Sequence, residues 1–429
     1  MRIVYIVHQF YPEFQSGTER VTLNLARMAQ RAGHHVQVLG CVLDSSNLAA
    51  QPHGTLSGAF CTVVDGVPVT LIDRTWLPAM AETSFETVDP LVAALEQWMR
   101  AERFDLAHVM HTMRAASGVS AAARAGLPLV LTLTDFFLGC LRINLIDLDG
   151  RLCEGPQGGQ LCPRQCPTPV WGGTAVVDRH RHAQGLLASA AACVAPSPYV
   201  AKRFGSMFPG IEFKVIAHGV DVLMLTTTPP LPAGAAPDRS AIGDDAVAPL
   251  SLGFFGSIVP AKGLHVLLQA LAAVPQLPVR LSVAGAHHGD PVYRQQIQRL
   301  ASADPRVSML GQLSTHEVAA AMRKIDLLCL PSVVPESFSL ALHEAAALSV
   351  PALVSDLGAP AQAVSASGAG RVVAAGDVAA WAQALQDVGA DRSLREHWRR
   401  TVPLPQRIEE EAFLYDLLYR RVVHAVRRS

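Results

Sequence analysis

Short β-branched apolar runs alternate along this chain with longer stretches in which apolar residues recur every three or four positions. That is the pattern of strands feeding helices in a parallel sheet. Ile3-Val4-Tyr5-Ile6-Val7 is the first run, followed by a loop with Pro12, Ser16 and Gly17. Val21, Leu25, Met28 and Ala29 then share one helical face, and Gly33 closes that helix before the strand His35–Leu39. The same reading predicts strands at Val69–Ile72, Leu106–Val109, Leu129–Leu133 and Cys193–Ala195. A second series opens with Leu250-Ser251-Leu252-Gly253-Phe254-Phe255-Gly256. It continues at Leu281–Ala284, Val307–Leu310, Leu327–Leu330 and Ala352–Val354, each trailed by a helical segment. Between the two series Thr226-Thr227-Thr228-Pro229-Pro230 and a run of Ala, Gly, Pro and Asp read as a surface linker. A last helix, about Glu409 to Val422, is expected to bury Phe413, Leu414, Leu417 and Leu418 and to cross back onto the first domain.

Length agrees with two series, because 429 residues exceed what one ordinary core organises. The expected division is a first domain over 1–221 with 408–429 packing on it, a linker over 222–249, and a second domain over 250–407. Half of the residues are hydrophobic, enough to cover two parallel sheets on both faces. A net charge of −1 without a Lys/Arg stripe gives no footprint for nucleic acid. The short basic groups Arg179-His180-Arg181-His182 and Arg420, Arg421, Arg427, Arg428 read as solvated faces. The apolar start is too short for a signal-peptide core or a membrane span, so a cytoplasmic location is expected. Cysteines in that compartment are thiols or ligands. Cys41, Cys61, Cys193 and Cys329, on or beside predicted strands, read as small core residues.

Candidate chemistry concentrates at predicted strand ends. After Leu327–Leu330 comes Pro335-Glu336-Ser337-Phe338-Ser339-Leu340-Ala341-Leu342-His343-Glu344-Ala345, two glutamates in a loop that runs into an Ala-rich helix. N–H groups at such a helix start favour an anion, so Ser337, Phe338, Ser339 and Leu340 are placed to hold a diphosphate. Glu344 suits ribose hydroxyls and Glu336 suits sugar hydroxyls.

The Glu336…Glu344 pair resembles the signature of glycosyltransferase family 4, the retaining group with the GT-B fold: α/β, two facing Rossmann-like domains with parallel doubly wound sheets. His8-Gln9-Phe10-Tyr11-Pro12 with Ser16-Gly17-Thr18-Glu19-Arg20 is similar to the family's first loop, although Ser16-Gly17 stands where a glycine pair is usual. The resemblance implies that Gly17 backs the donor. Gly256-Ser257-Ile258-Val259-Pro260-Ala261-Lys262-Gly263 resembles the family's diphosphate loop, with Gly256 and Ser257 at the phosphates and Lys262 answering the charge that develops on the leaving group. Ser257 replaces a frequent Arg. His111, closing the strand Leu106–Met110, matches the family's cleft histidine better than His108 does. Asp135, after Thr134, is expected in the same cleft near the acceptor. His218-Gly219-Val220-Asp221 is similar to a turn at the domain junction, and a simple hinge is an equal reading.

Cys140, Cys153, Cys162 and Cys166 fall within one Gly/Pro-rich stretch, without paired Cys-x-x-Cys knuckles. A structural zinc, reduced thiols and an acceptor loop all remain open there. Asp147-Leu148-Asp149 has metal-motif spacing but lies in this stretch, so no catalytic cofactor is expected. The resemblance implies transfer from a nucleotide-sugar donor to a glycan, lipid-linked or small-molecule acceptor. It also implies peripheral contact with the inner face of the cell membrane, and retention through front-face attack assisted by the leaving phosphate. Two other readings stay open: an epimerase or glycoside phosphorylase on the same fold, and a catalytically silent scaffold that binds a nucleotide or a partner.

Overall fold

The computed structural model describes residues 1–46, 48, 50–167, 173–228 and 249–428. The chain divides into two compact units, Met1–Gly219 with Ile408–Ser429, and Val220–Arg407.

Unit 1 is built on the strands β1 (Arg2–Ile6), β2 (His35–Val42), β3 (Gln51–Pro52), β4 (Ala59–Val64), β5 (Val67–Asp73), β6 (Leu106–Val109), β7 (Leu129–Thr132), β8 (Ala192–Ala195) and β9 (Phe213–Val215). Their order is β3-β4-β5-β2-β1-β6-β7-β8-β9. β1, β6, β7 and β8 carry almost wholly buried side chains, as expected of strands covered on both faces. Pairing is parallel from β5 to β9, whereas β3-β4-β5 is an antiparallel edge. That edge departs from the all-parallel expectation. Asp65-Gly66 turns β4 back onto β5 with both residues at positive φ, a hairpin that strand-helix alternation does not reveal.

The helix Gly17–Arg31 buries Val21, Leu25, Met28 and Ala29, the face its periodicity predicts. Packed against it is the last helix, Ile408–Arg428. Its buried apolar and aromatic residues are Ile408, Tyr415, Leu418, Tyr419, Val422 and Val423, while Phe413, Leu414 and Leu417 are exposed. The expected inner face is therefore wrong by about one residue's rotation, because two tyrosines fill it. Tyr419 Oη lies 2.6 Å from His108 Nδ1, and Tyr415 Oη lies 2.7 Å from Thr132 Oγ1. Glu411 is buried too and receives Gly219 N–H at 2.8 Å while its other oxygen meets His218 Nδ1 at 2.9 Å. His218 thus docks a helix rather than merely making a turn.

Unit 2 contains β10 (Leu250–Phe255), β11 (Val279–Ala284), β12 (Val307–Gly311), β13 (Leu327–Leu330), β14 (Ala352–Ser355) and β15 (Gly370–Val373). They run parallel in the order β12-β11-β10-β13-β14-β15. Leu267, Leu271, Trp381 and Leu385 from flanking helices close over this sheet and are fully buried. The expected linker is corrected at its start: Val222–Thr227 is a helix capped by Asp221, and Leu225 packs with Ala319 and Ala347. Most of that linker, residues 229–248, lies outside the described residues.

Candidate functional site

Both ligand-edge clusters grow from carboxyl ends of parallel strands, the place where doubly wound sheets leave backbone and side chains available. In unit 2, β10 runs into Gly256 and Ser257, a single turn Pro260–Lys262, then Gly263 and the helix Leu264–Ala273. Gly263 has φ +67°, and a Cβ there would stand 1.8 Å from the Pro331 carbonyl oxygen. Only glycine lets this loop lie directly against the chain leaving β13. The contact brings Lys262 Nζ within 2.8 Å of Glu336 Oε2.

Glu336 is buried, and its backbone is fixed from the far side. Gly358, at φ +78°, forms a bridge to it, Ala359 N–H donates to its carbonyl at 2.9 Å, and a Cβ on Gly358 would fall 2.4 Å from Glu336 N. Burial pushes the carboxyl pKa up. The Lys262 charge and hydrogen bonds from Lys262, Ser332 and Ser339 outweigh that and hold it below the usual carboxylate range. The buried Glu336 carboxyl is therefore ionised, while Lys262 stays about one third exposed. The sequence reading gave Lys262 to the diphosphate and Glu336 to a sugar as separate contacts, whereas here they are bound to one another.

The helix Leu340–Ala347 follows, with no side-chain cap at Ser339. Ser339 sits at φ +92°, a backbone that favours glycine, and its hydroxyl bonds Glu336. Glu344 lies inside this helix and is buried. His343 donates from Nδ1 to the Ser339 carbonyl at 2.8 Å, and its ring stacks on Phe338 with centroids 4.0 Å apart. Glu336, Ser337, Phe338, Ser339, Leu340 and Glu344 thus belong to one strand-to-helix connection, joined by Lys262. Ser332 and Gly358 complete it, and the sequence reading missed both. The usable signal for Gly358 was a glycine just beyond a predicted strand.

In unit 1, His111, Thr112, Thr134, Asp135 and Phe137 line one pocket at the ends of β6 and β7. Met113 N–H donates to His111 Nδ1 at 3.1 Å, so the proton sits on Nε2 and is donated to Asp135 Oδ2 at 2.6 Å. Both ring nitrogens are occupied. A sugar hydroxyl can reach this ring only by exchanging with one of those partners.

The His8 ring lies 4.0 Å from that of His111, and His8 Nε2 is 3.6 Å from Glu19 Oε1. Burial first, then the charges of His111 and Arg114, hold the His8 pKa well below its ordinary value, so it is neutral. Gly17 is the first residue of the helix Gly17–Arg31. Glu19 accepts from Ser16 N–H at 2.7 Å and closes a capping box. His8 and Glu19 belong to the first-loop resemblance but were given no role from sequence, and Arg114 was not singled out. The position of His8 at the end of β1, matching His111 at the end of β6, was the available clue.

His108, set aside for His111, is fully buried and held between Tyr419 and Thr132, a structural place. Arg179 is corrected as well: it is buried rather than solvated, its guanidinium 4.6 Å from the Phe137 ring centre and donating to the Thr83 carbonyl at 2.8 Å. Asp147 accepts from Asp149 N–H and Arg151 N–H, both within 2.9 Å, and so serves a turn. Cys140, Cys153, Cys162 and Cys166 line one pocket as free thiols. Among the described residues no three His, Cys, Asp or Glu side chains stand ready to hold a metal ion. Among the same residues no helix is long and apolar enough to cross a membrane.

Comparison with known proteins bears on the family and the fold. Residues 15–222 match the family model described as Glycosyltransferase Family 4, and residues 249–391 match that of Glycosyl transferases group 1. The chain is 32% identical over 202 residues to the phosphatidyl-myo-inositol mannosyltransferase of Mycobacterium leprae, covering 46% of this chain and 50% of that protein. It is 25% identical over 379 residues to the D-inositol 3-phosphate glycosyltransferase of Pseudarthrobacter chlorophenolicus, covering 86% of this chain and 81% of that one. The matches to the mannosyltransferase and its like thus span about half the length of those relatives. Among solved structures, sucrose-phosphate synthase from Thermosynechococcus elongatus superposes with a TM-score of 0.71 at 19% identity, over 99% of this chain and 100% of that one. Anabaena HepE in complex with UDP and glucose gives 0.62 at 20% identity, over 99% and 97%. At such identities the likeness establishes the fold, which is GT-B. With a family model matched in each unit, the chain belongs to glycosyltransferase family 4.

Proposed function

We propose that this protein transfers a sugar from a nucleoside diphosphate sugar to a glycan, lipid-linked or small-molecule acceptor, with retention and without a catalytic metal. The observation that carries the reading is the ionised Lys262–Glu336 pair, set beside the uncapped start of the helix Leu340–Ala347. A diphosphate at that helix start meets backbone N–H groups and the Lys262 ammonium together, the two features that favour negative charge. Glu336, held by Ser332 and Gly358, keeps the ammonium in place and offers carboxylate oxygen to a sugar hydroxyl. Glu344 is assigned to the ribose. Gly17, His111 and Asp135 are assigned to the donor sugar and acceptor. Relatives named for phosphatidyl-myo-inositol and D-inositol 3-phosphate support a polyol-bearing acceptor that is phosphorylated or lipid-linked. Work in the cytoplasm, with peripheral contact at the inner face of the membrane, follows from such an acceptor.

A panel of UDP-, GDP- and ADP-sugars in thermal unfolding tests the donor class. A true donor at about 100 times its dissociation constant stabilises by about 2.7 kcal/mol. Incubating the stabilising donor with inositol phosphates and lipid-linked sugars, then reading the anomeric configuration of the product with and without chelator, tests the rest. Stabilisation by none of these donors would reject the reading. A donor chemically changed without any acceptor would move the protein to the epimerase class.

A further inference from the structure

We propose that the outer face of the last helix, Ile408–Arg428, docks this protein on a bilayer that carries anionic lipid. The proposal names a surface for the peripheral membrane contact put forward above, and it rests on that reading. Its starting point is a set of side chains on the wrong side of the helix. Phe413 is 61% exposed, Leu417 49% and Leu414 40%, although the inner face already buries Tyr415, Leu418, Tyr419 and Val422. A helix that is apolar all round is one that is covered all round. Single exposed leucines are ordinary on a protein surface. These three are neighbours three and four residues apart, so they form one patch.

Charge on the same face says what covers the patch. Phe413, Leu417, Arg421, His424 and Arg428 follow one another at steps of three and four residues, so they lie along one stripe, and all five are exposed. Arg420 and Arg427 flank it, each held by a carboxylate at 2.8 Å, Asp416 and Asp105 respectively. Arg421 and Arg428 form no such pair among the described residues. The glutamates of this helix are confined to its first turn, and from Leu417 to Arg428 no acidic residue occurs. Apolar side chains that lead into arginines on one face suit an anionic lipid interface. The apolar part enters the acyl boundary while the guanidiniums meet phosphate.

Two further observations favour lipid over a protein partner. A cavity of about 310 Å³ lies between this helix and Gly17–Arg31, with Leu25, Met28, Ala412 and Phe413 among its apolar walls and the exposed Arg31 also lining it. His34 and Asp416, which line it too, are bound to each other at 2.8 Å. A flexible acyl chain can enter such a space, and the flat face of another protein cannot. The second observation is size. Three apolar side chains fall far short of the roughly 20 to 30 residues a side that a stable protein interface takes. Membrane docking needs no complementary shape, because the acyl boundary adapts to whatever apolar surface is pressed into it.

The test sediments the full chain with vesicles of phosphatidylcholine alone and of phosphatidylcholine mixed with phosphatidylglycerol. Binding is expected to the mixed vesicles and to weaken as salt is raised. Phe413→Ser combined with Leu417→Ser, and Arg421→Gln combined with Arg428→Gln, should each lower the bound fraction at least about fivefold. Val63→Ser, at a comparably exposed apolar residue on β4, should keep it. All these side chains are exposed, so the variants should melt with the wild type. Sugar transfer to a water-soluble acceptor should also stay unchanged, since none of them lies at the strand-end sites. Wild-type protein that transfers sugar yet does not sediment with the mixed vesicles would overturn the docking face alone, whereas absence of transfer and of donor binding would reject the proposed function. Equal binding by all variants, equal binding to both kinds of vesicle, or a dimer that the Phe413 and Leu417 substitutions dissolve would each overturn the proposal too.

Discussion

Lys262 and Glu336 are a unit, since the Lys262 charge helps keep the buried Glu336 carboxyl ionised. On the proposed assignment, Lys262→Ala removes the cation at the leaving diphosphate, and it takes from Glu336 its ion-pair partner. Turnover should fall about 100-fold or more, measured as kcat with the donor saturating. If Glu344 holds the ribose as proposed, a contact made equally in ground and transition states, Glu344→Ala should act mainly through KM for the donor. Near-wild-type transfer by both variants would favour the silent-scaffold reading. Gly358 supports the pair from behind. Gly358→Ala must push the Glu336 backbone away or strain a positive φ, so kcat should drop at least about tenfold with little change in nucleotide affinity. Unchanged kcat in that variant would show that Glu336 needs no fixed backbone. Lys262, Glu336 and Glu344 were legible in the sequence because each follows a strand in a recognisable order. Gly358 was not, since its partner is 22 residues away and only the folded sheet brings them together.

Among the elements, the last helix shows where periodicity misleads. Phe413, Leu414, Leu417 and Leu418 look like an apolar stripe, yet only Leu418 of these faces inward, because Tyr415 and Tyr419 have buried partners waiting in Thr132 and His108. A hydroxyl satisfied inside the core competes successfully with a leucine whose burial needs no partner. Tyr419→Phe should cost about 1–3 kcal/mol in denaturant unfolding, since it leaves His108 Nδ1 buried without its hydroxyl partner. A loss of a few tenths would mean that water replaces the hydroxyl.

At the scale of the molecule, the two units have different dependences. Val220 and Arg407 pair with one another, and Val220 N–H donates to the Gln406 carbonyl at 3.0 Å, so the ends of unit 2 meet. Residues 220–407 expressed alone should fold and keep nucleoside diphosphate binding, checked by calorimetry. A folded fragment that binds none would return the nucleotide site to unit 1. Unit 1 also carries an acid sensitivity. Burial holds the His108 pKa at about 3, below its ordinary 6.5, with His218 as a smaller cause, and His8 is lowered in the same direction. The unfolded chain therefore takes up protons first as pH falls. Stability is complete above about 6.5 and declines below it by about 1.4 kcal/mol per pH unit for each histidine, until the folded value is reached. His108→Gln should remove one proton's worth of that slope between pH 6.5 and 5. An unchanged slope would place the linkage elsewhere.

Sequence by itself determined the alternation of strands and helices, the two series, and the strand ends that carry His111, Asp135, Lys262 and Glu336, because periodicity and chain order are local properties. Tertiary structure decided the rest. It turned β3 and β4 into an antiparallel edge, buried Arg179, put Tyr415 and Tyr419 inward, closed His111 onto Asp135, and gathered the four cysteines round one pocket. Each of these depends on a partner distant in the chain, and a side chain's place is set by the hydrogen bond or charge it meets there rather than by its own hydropathy.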